Sequence, residues 1–267
     1  MTDIKDFILL IPYYNNLEGL IESLMSVQYP YGKFEVLIVD DGSKEPLSTA
    51  FLNSLFQQIN IRVINLQDNV GIAKALNRGL KEIKDRNDYK YIARLDCGDT
   101  CRKDRFTEQV DFLNSNKNIS LLGTWCTFTD KGSNKSYIYK TQTIHKDIIK
   151  EMHFKCSFIH PTVMFRRDIL EKIGLYPENY PHAEDYAYFW RILLKFDVAI
   201  LPLSLVFISV NKNNISYKNR KVQLSTRKKI VSEMSNSLIN KLLGLSYIKT
   251  LSLLPVNLAY KLKYLVK

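Results

Sequence analysis

Short, nearly continuous apolar runs alternate with helically spaced stretches over the first 95 residues, and this alternation limits the folds open to the chain. Phe7–Ile11, Phe34–Val39, Ile61–Leu66 and Tyr89–Leu95 predict four strands. Leu17–Val27, Leu47–Ile59 and Ile72–Ile83 predict the helices between them. Strands that are apolar throughout, rather than at every second residue, are covered on both faces. Strand–helix–strand units of this length close right-handed and parallel. The expectation is an α/β fold with a mostly parallel central sheet and helices on both faces.

Past Asp99 the alternation loosens. Lys103–Asn114 predicts a helix. Leu121–Phe128 and Tyr137–Thr143 predict strands about a turn at Lys131, Gly132, Ser133 and Asn134. A short strand is expected at Thr162–Phe165, a helix at Ala183–Leu194 and strand-like sequence at Val198–Val210. Asn211–Asn214 is a polar break. From Gln223 the chain reads as two amphipathic helices separated near Gly244 and Pro255. A body of 1–210 and a helical appendage of 211–267 follow, which suits a length of 267 residues.

Charge separates the same two parts. Thirty-eight Lys and Arg stand against 27 Asp and Glu, a net charge of +11. Residues 211–267 hold twelve of the bases and a single acid, Glu233, so the appendage carries the whole excess. A nucleic-acid binder would place its charge on the domain that grips the backbone, so no nucleic-acid partner is expected. A basic amphipathic segment beside a neutral body fits an anionic membrane surface. Packing on the body, with the lysines solvated, is the plainer alternative. Four cysteines are too few for a disulfide framework in a chain of this size, so they are read as reduced thiols of a cytosolic protein. Asp3 and Asp6 precede the first apolar run where a signal peptide would carry bases. No run reaches the roughly 18 apolar residues of a membrane span.

In open α/β sheets, ligands bind beyond the carboxyl ends of the strands. The four predicted strands lead into Pro12-Tyr13-Tyr14-Asn15-Asn16, Asp40-Asp41-Gly42-Ser43, Asp68-Asn69-Val70-Gly71 and Asp96-Cys97-Gly98-Asp99. Asp, Asn, Gly and Ser are also ordinary turn residues, so any one of these segments alone is weak. Four in succession place acids and aromatics along one edge. Acids that crowd together raise each other's pKa unless a cation or a polyhydroxyl ligand shares the site. No G-x-G-x-x-G or G-x-x-x-x-G-K-[ST] is present, which excludes the usual dinucleotide and P-loop sites. No G-x-S-x-G elbow or H-x-x-x-H zinc pattern appears either. A nucleotide could still be held through base and ribose by the acids, with a divalent ion screening its diphosphate.

The chain resembles the family 2 glycosyltransferases of the GT-A fold, of the kind that assemble bacterial surface polysaccharides. The matching segments are Ile11–Asn16, Val39–Ser43, Asn69–Asn77, Ala93–Asp99, His160–Arg166 and Ala183–Tyr186, within about residues 5–210. The resemblance implies inverting transfer of a sugar, hexosyl in class, from a nucleoside-diphosphate donor, a UDP-sugar before a TDP-sugar. The acceptor would be a saccharide, free or polyprenyl-linked, in capsule or O-antigen synthesis. The protein would then lie in the cytoplasm, peripheral on the inner face of the membrane.

Residue roles follow from the same resemblance. Pro12, Tyr14, Asp40 and Asp41 would contact the nucleotide, although the two acids equally suit a turn before Gly42. Lys74 and Asn77 share a helix face, where Lys74 could reach a phosphate or be solvated. Arg94 would orient the acidic cluster by an ion pair. Asp96 would hold ribose and metal, and Asp99 the metal (Mg²⁺ or Mn²⁺). Gly98 stands where the family usually places a further acid. Asp185 would be the base that takes the acceptor's proton, although Glu184 and Asp185 could simply cap a helix. Glu184, His160, His182 and Arg191 would line the sugar or acceptor pocket. His145 and His153 are read as surface residues, and Cys97 and Cys101 as ordinary thiols. Two rival readings are a sugar-phosphate nucleotidyltransferase and a non-catalytic membrane-surface or polyanion-binding protein. A third is a degenerate transferase that binds donor without turnover.

Overall fold

The computed structural model describes residues 4–130, 132, 135–210 and 219–254. The alternating start folds as β1 (Lys5–Tyr13), α1 (Leu17–Ser26), β2 (Phe34–Asp40), α2 (Thr49–Leu55), β3 (Asn60–Asn65), α3 (Ile72–Ile83) and β4 (Tyr89–Arg94). There follow β5 (Thr100–Cys101), α4 (Arg105–Ser115), β6 (Ile119–Asp130), β7 (Ser136–Tyr139) and α5 (His145–Met152). A 3₁₀ turn at His160–Thr162 leads to β8 (Met164–Arg166), α6 (Ile169–Lys172), α7 (Glu184–Leu193) and β9 (Asp197–Val210). Two last helices are α8 (Arg220–Met234) and α9 (Leu238–Leu253).

One sheet in the order β3-β2-β1-β4-β8-β6-β9-β5 organises the molecule, with β7 beside β6. The β3–β2, β2–β1 and β1–β4 pairs are parallel, as the βαβ pattern requires. In the second half β8 runs antiparallel to both β4 and β6, and β6–β9 is parallel again. The sheet is therefore mixed, and its parallel character is concentrated in the half whose sequence alternates.

Side-chain alternation along the strands divides the core into two layers. Ile8, Leu10, Leu37 and Val39 face Leu76, Leu80 and Ile83 of α3 and, further along, the aromatic helix α7. Phe7, Leu9, Ile11, Val36 and Ile38 face Leu20 and Leu24 of α1 and Phe106, Val110 and Leu113 of α4. Helices thus cover both faces of the sheet.

The last two helices share the first of these layers. Leu224, Ile230 and Val231 of α8 and Ile248 of α9 are buried with Tyr186, Phe189 and Trp190 of α7. The break between them falls at Ser235–Ser237, where the Ser237 hydroxyl accepts from the Asn240 amide, and not at Gly244. Gly244 lies inside α9 because it touches the body. A Cβ there would stand 2.3 Å from the His153 carbonyl oxygen. His153, expected at the surface, is instead fully buried. Its Nδ1 lies 2.8 Å from the Ile149 carbonyl, its Nε2 lies 2.8 Å from Ser235 Oγ, and its ring meets Trp190 edge-on. The helix α5 forms where the sequence pattern predicts no element. The predicted turn residues Lys131, Ser133 and Asn134, the polar break at Asn211–Asn214 and Pro255 lie outside the described residues. No described helix is long and apolar enough to cross a membrane.

Candidate active site

The carboxyl ends of β1, β2 and β4 bring three of the sequence segments together. The Asp41 amide donates to the Tyr13 carbonyl at 2.8 Å, the Asn15 amide to Ser43 Oγ at 2.9 Å and the Lys44 amide to Asn15 Oδ1 at 3.0 Å. These bonds lace the first two loops into one wall. Asp40 is buried, and its two oxygens accept from the Ser43 and Leu47 amides. It therefore builds the turn. Asp41 accepts from the Val70 and Gly71 amides at 2.8 and 3.0 Å, which fixes the Asn69–Gly71 loop at the start of α3. Gly42, at φ +70°, lies against the Asp68 backbone where any Cβ would clash. Pro12 is partly buried, and Tyr14, two residues on in the same loop, is 50% exposed.

Arg94 at the end of β4 is completely buried. Its Nη1 donates to the Leu10 and Leu95 carbonyls, and its Nη2 donates to Asp96 Oδ1 at 2.6 Å. The expected ion pair is therefore present. Arg94 Nε also points at His160 Nε2 (3.4 Å), which lies 2.9 Å from the Tyr176 hydroxyl. Arginine only donates, so Nε2 accepts and the proton sits on Nδ1. Burial, then the nearby Arg94 charge, pushes the His160 imidazole down to about 3. His160 is thus a neutral strut behind Arg94.

The Asp96–Asp99 turn is pinned to α1. Ser23 Oγ accepts from the Gly98 amide and donates to the Asp99 carbonyl. Gly98 holds φ +94°, which an aspartate would adopt only under strain. Burial, then repulsion from Asp96, pushes the Asp99 carboxyl well above the ordinary carboxylate range.

α7 brings the second pair of acids. Glu184 and Asp185 occupy its first turn, and Asp185 Oδ1 accepts from the Tyr186 amide at 2.7 Å. Burial, then Glu184 and Asp96, raises the Asp185 carboxyl from 3.8 to about 7. Burial and Asp96 also raise Glu184. The helix dipole favours an anion here, yet burial and the neighbouring acids prevail. An acid poised near neutrality can take a proton from a hydroxyl.

Other expected residues lie around this centre. Asn77 is buried and clamps the Tyr176 backbone, accepting from its amide and donating to its carbonyl, both at 2.9 Å. Lys74 is exposed and lines a hollow of about 390 Å³ with Asp68, Val70, Asn77 and Arg78. His182 precedes α7 at φ +60°. Arg191 lies two turns along α7, where its charge acts on Tyr180. Tyr176 was missed. Its hydroxyl reaches His160 and feels the charges of Arg94, Asp185 and Asp96. Only the aromatic after Gly174-Leu175 could have signalled it.

A hard divalent ion needs one or two carboxylates, with phosphate oxygens and water completing its shell. Among the described residues no group of three or more His, Cys, Asp or Glu could hold a metal ion. Asp96 and Asp99 repel one another; Arg94 pairs with Asp96, and the charges of Arg105 and Arg94 act on Asp99, yet burial and repulsion still raise Asp99, so a further cation fits beside the two carboxylates. The acid absent at Gly98 leaves the set at two.

The family model described as glycosyl transferase family 2 matches residues 8–174, more than half of the chain. The bifunctional glycosyltransferase pgtA of Dictyostelium discoideum is 27% identical over 77% of this chain, which spans only 31% of that protein. The amylovoran biosynthesis glycosyltransferase AmsE of Erwinia amylovora is 29% identical over 79% of this chain and 78% of its own length. The Escherichia coli UDP-Gal:alpha-D-GlcNAc-diphosphoundecaprenol beta-1,3-galactosyltransferase is 28% identical over 60% of this chain and 56% of its own. In fold, the chain is similar to S. aureus TarS 1-349 in complex with UDP-GlcNAc (TM-score 0.65, 17% identity, 91% of this chain and 71% of that one). It is equally similar to the mannosyltransferase PcManGT of Pyrobaculum calidifontis in complex with GDP-Man and Mn²⁺ (TM-score 0.65, 13% identity, 98% and 80%).

Proposed function

The chain belongs to glycosyl transferase family 2, and from that premise we propose that it is an inverting hexosyltransferase of bacterial surface-polysaccharide synthesis, using a UDP-sugar and a polyprenyl-linked saccharide acceptor. The main support is Asp185, raised to about 7 at the head of α7 within the field of Asp96. The sugar acceptor and the donor nucleotide would meet between these two carboxylates. Tyr14 stacks on the base at the mouth, and the Asp41–Gly71 bridge shapes the loop beside it. Asp96, aimed by Arg94, takes the ribose. Asp185 accepts the acceptor hydroxyl's proton as that oxygen bonds to the anomeric carbon. The bond from that carbon to the diphosphate oxygen breaks on the opposite face, and the electron pair leaves with UDP. A divalent ion at Asp96 and Asp99 would neutralise the leaving diphosphate. Relatives named for amylovoran biosynthesis and for transfer to a diphosphoundecaprenol-linked sugar support the acceptor class.

The appendage would hold the enzyme at the cytoplasmic face of the membrane. Leu238, Ile239, Leu242 and Leu243 of α9 are 53–73% exposed and form one outward apolar patch. Exposed Lys228, Lys229 and Lys249 accompany it on these two helices. Apolar anchoring beside bases suits an anionic interface. Pelleting with anionic but not zwitterionic vesicles, lost in Leu242→Glu/Leu243→Glu, is the expected result.

UDP release from a panel of UDP-hexoses, with polyprenyl-diphosphate-linked sugars as acceptors, tests the reaction. The product's anomeric configuration is read by NMR. Inverted product from the wild type and none from Asp185→Asn is expected. Retained configuration, or turnover undiminished in Asp185→Asn, contradicts the reading.

A further inference from the structure

α8 grips the segment that leads into α7. Gln223 Nε2 donates to the His182 carbonyl at 3.1 Å. Six residues further along α8, Lys229 lies 4.7 Å from the centre of the Tyr180 ring. At the helix end Glu233 accepts from the Tyr180 hydroxyl at 2.6 Å. Leu224 and Ile230, between these contacts, are buried in the shared core. The held segment is unusual. His182 adopts φ +60°, a conformation uncommon for a residue with a side chain. Residues kept in such regions persist where their surroundings over-determine them. The next residue, Ala183, is the N-cap of α7, and its carbonyl accepts the Ala187 amide in the first turn.

We propose that Gln223 is a positioning residue for transfer: by holding the His182 carbonyl it fixes where α7 begins, and with it the carboxylates of Glu184 and Asp185. The appendage is then part of the catalytic apparatus as well as a candidate anchor. The inference rests on the reading of Asp185 as the base only for its kinetic consequence. The latch itself can be tested without that reading.

Gln223→Glu keeps the side chain's length and removes the donor. Gln223→Lys keeps a donor. Hydrogen exchange on the full-length protein reads the latch. Amides 183–187 should exchange faster in Gln223→Glu than in wild type and return toward wild type in Gln223→Lys, with β1–β4 amides unchanged. In UDP-sugar turnover, Gln223→Glu should lower kcat about tenfold at unchanged donor KM, since small misplacements of a reacting group are costly. Gln223→Lys should recover most of the loss. Unchanged exchange at 183–187, or faster exchange with wild-type kcat, overturns the proposal. Asp185→Asn runs beside them. If it keeps wild-type kcat, the base assignment fails, and the exchange data alone still decide whether the latch exists.

Discussion

Acids stand at both edges of the parallel half-sheet, and the two edges treat them differently. At the amino ends Glu35 is 3% exposed and receives both Arg86 terminal nitrogens at 2.8 and 2.9 Å. Lys5 and Arg62 lie 3.6 Å away. Burial alone would raise Glu35, but Arg86, Lys5 and Arg62 hold it below the ordinary range. Arg86 and Lys5 likewise hold Asp88 well down. At the carboxyl ends Asp99, Glu184 and Asp185 are all raised, by burial first and then by other acids. One edge satisfies its charges internally and contributes stability. The other satisfies Asp40, Asp41 and Asp96 but leaves Asp99, Glu184 and Asp185 raised, the arrangement of a site that takes a ligand.

Neutralising one acid at each edge should give opposite results. Asp185→Asn should lower kcat by about 10²–10⁴-fold, the range for loss of a general base, while leaving thermal stability equal or higher. Its measurement is UDP release beside a melting curve. Acidification acts on the same group. Below about 7, kcat should fall roughly tenfold per pH unit as Asp185 gains its proton, with donor affinity less affected. Glu35→Gln should cost about 1–3 kcal/mol of stability by leaving Arg86 underpaired, with kcat within about twofold of wild type. Urea unfolding and the same turnover assay check this pair.

The smallest effect is on stability against pH, and its sign differs between the edges. Asp185 binds its proton more tightly in the folded chain, so its contribution is full below about 4 and is lost as pH rises toward about 7. Glu35 and Asp88 are held below their ordinary values, so their contribution is present above those values and is lost as pH falls. Stability should therefore peak near pH 4 to 5, roughly where the Glu35 and Asp88 contributions are complete and the Asp185 contribution begins to fall. Asp185→Asn should flatten the neutral limb and Glu35→Gln the acid limb.

The first half of the fold was legible because each of its elements carries its own periodicity. Ile72–Ile83 is a helix over the residues its spacing predicts. Where pairing is non-local, the pattern gave less. β8 is three residues long and lies antiparallel between β4 and β6, a placement no local signal encodes. Tertiary contact also decided Gly244, which reads as a helix break and proves to be the point where α9 touches the His153 backbone. In the site, strand-end acids were legible as a group, but their partners were not. Nothing in the sequence separates Asp40, whose oxygens hold its own turn, from Asp96, which Arg94 presents to the cleft. Tyr176 was invisible because its role depends on Asn77, 99 residues earlier, clamping its backbone.

Calorimetric titration of UDP, with Mn²⁺ and with EDTA, into wild type, Asp96→Ala and Glu35→Gln tests the division between the edges most directly. Binding that is strengthened by Mn²⁺, lost in Asp96→Ala and unchanged in Glu35→Gln is the predicted result. UDP binding that is indifferent to Asp96→Ala, or no UDP binding by the wild type, would contradict it.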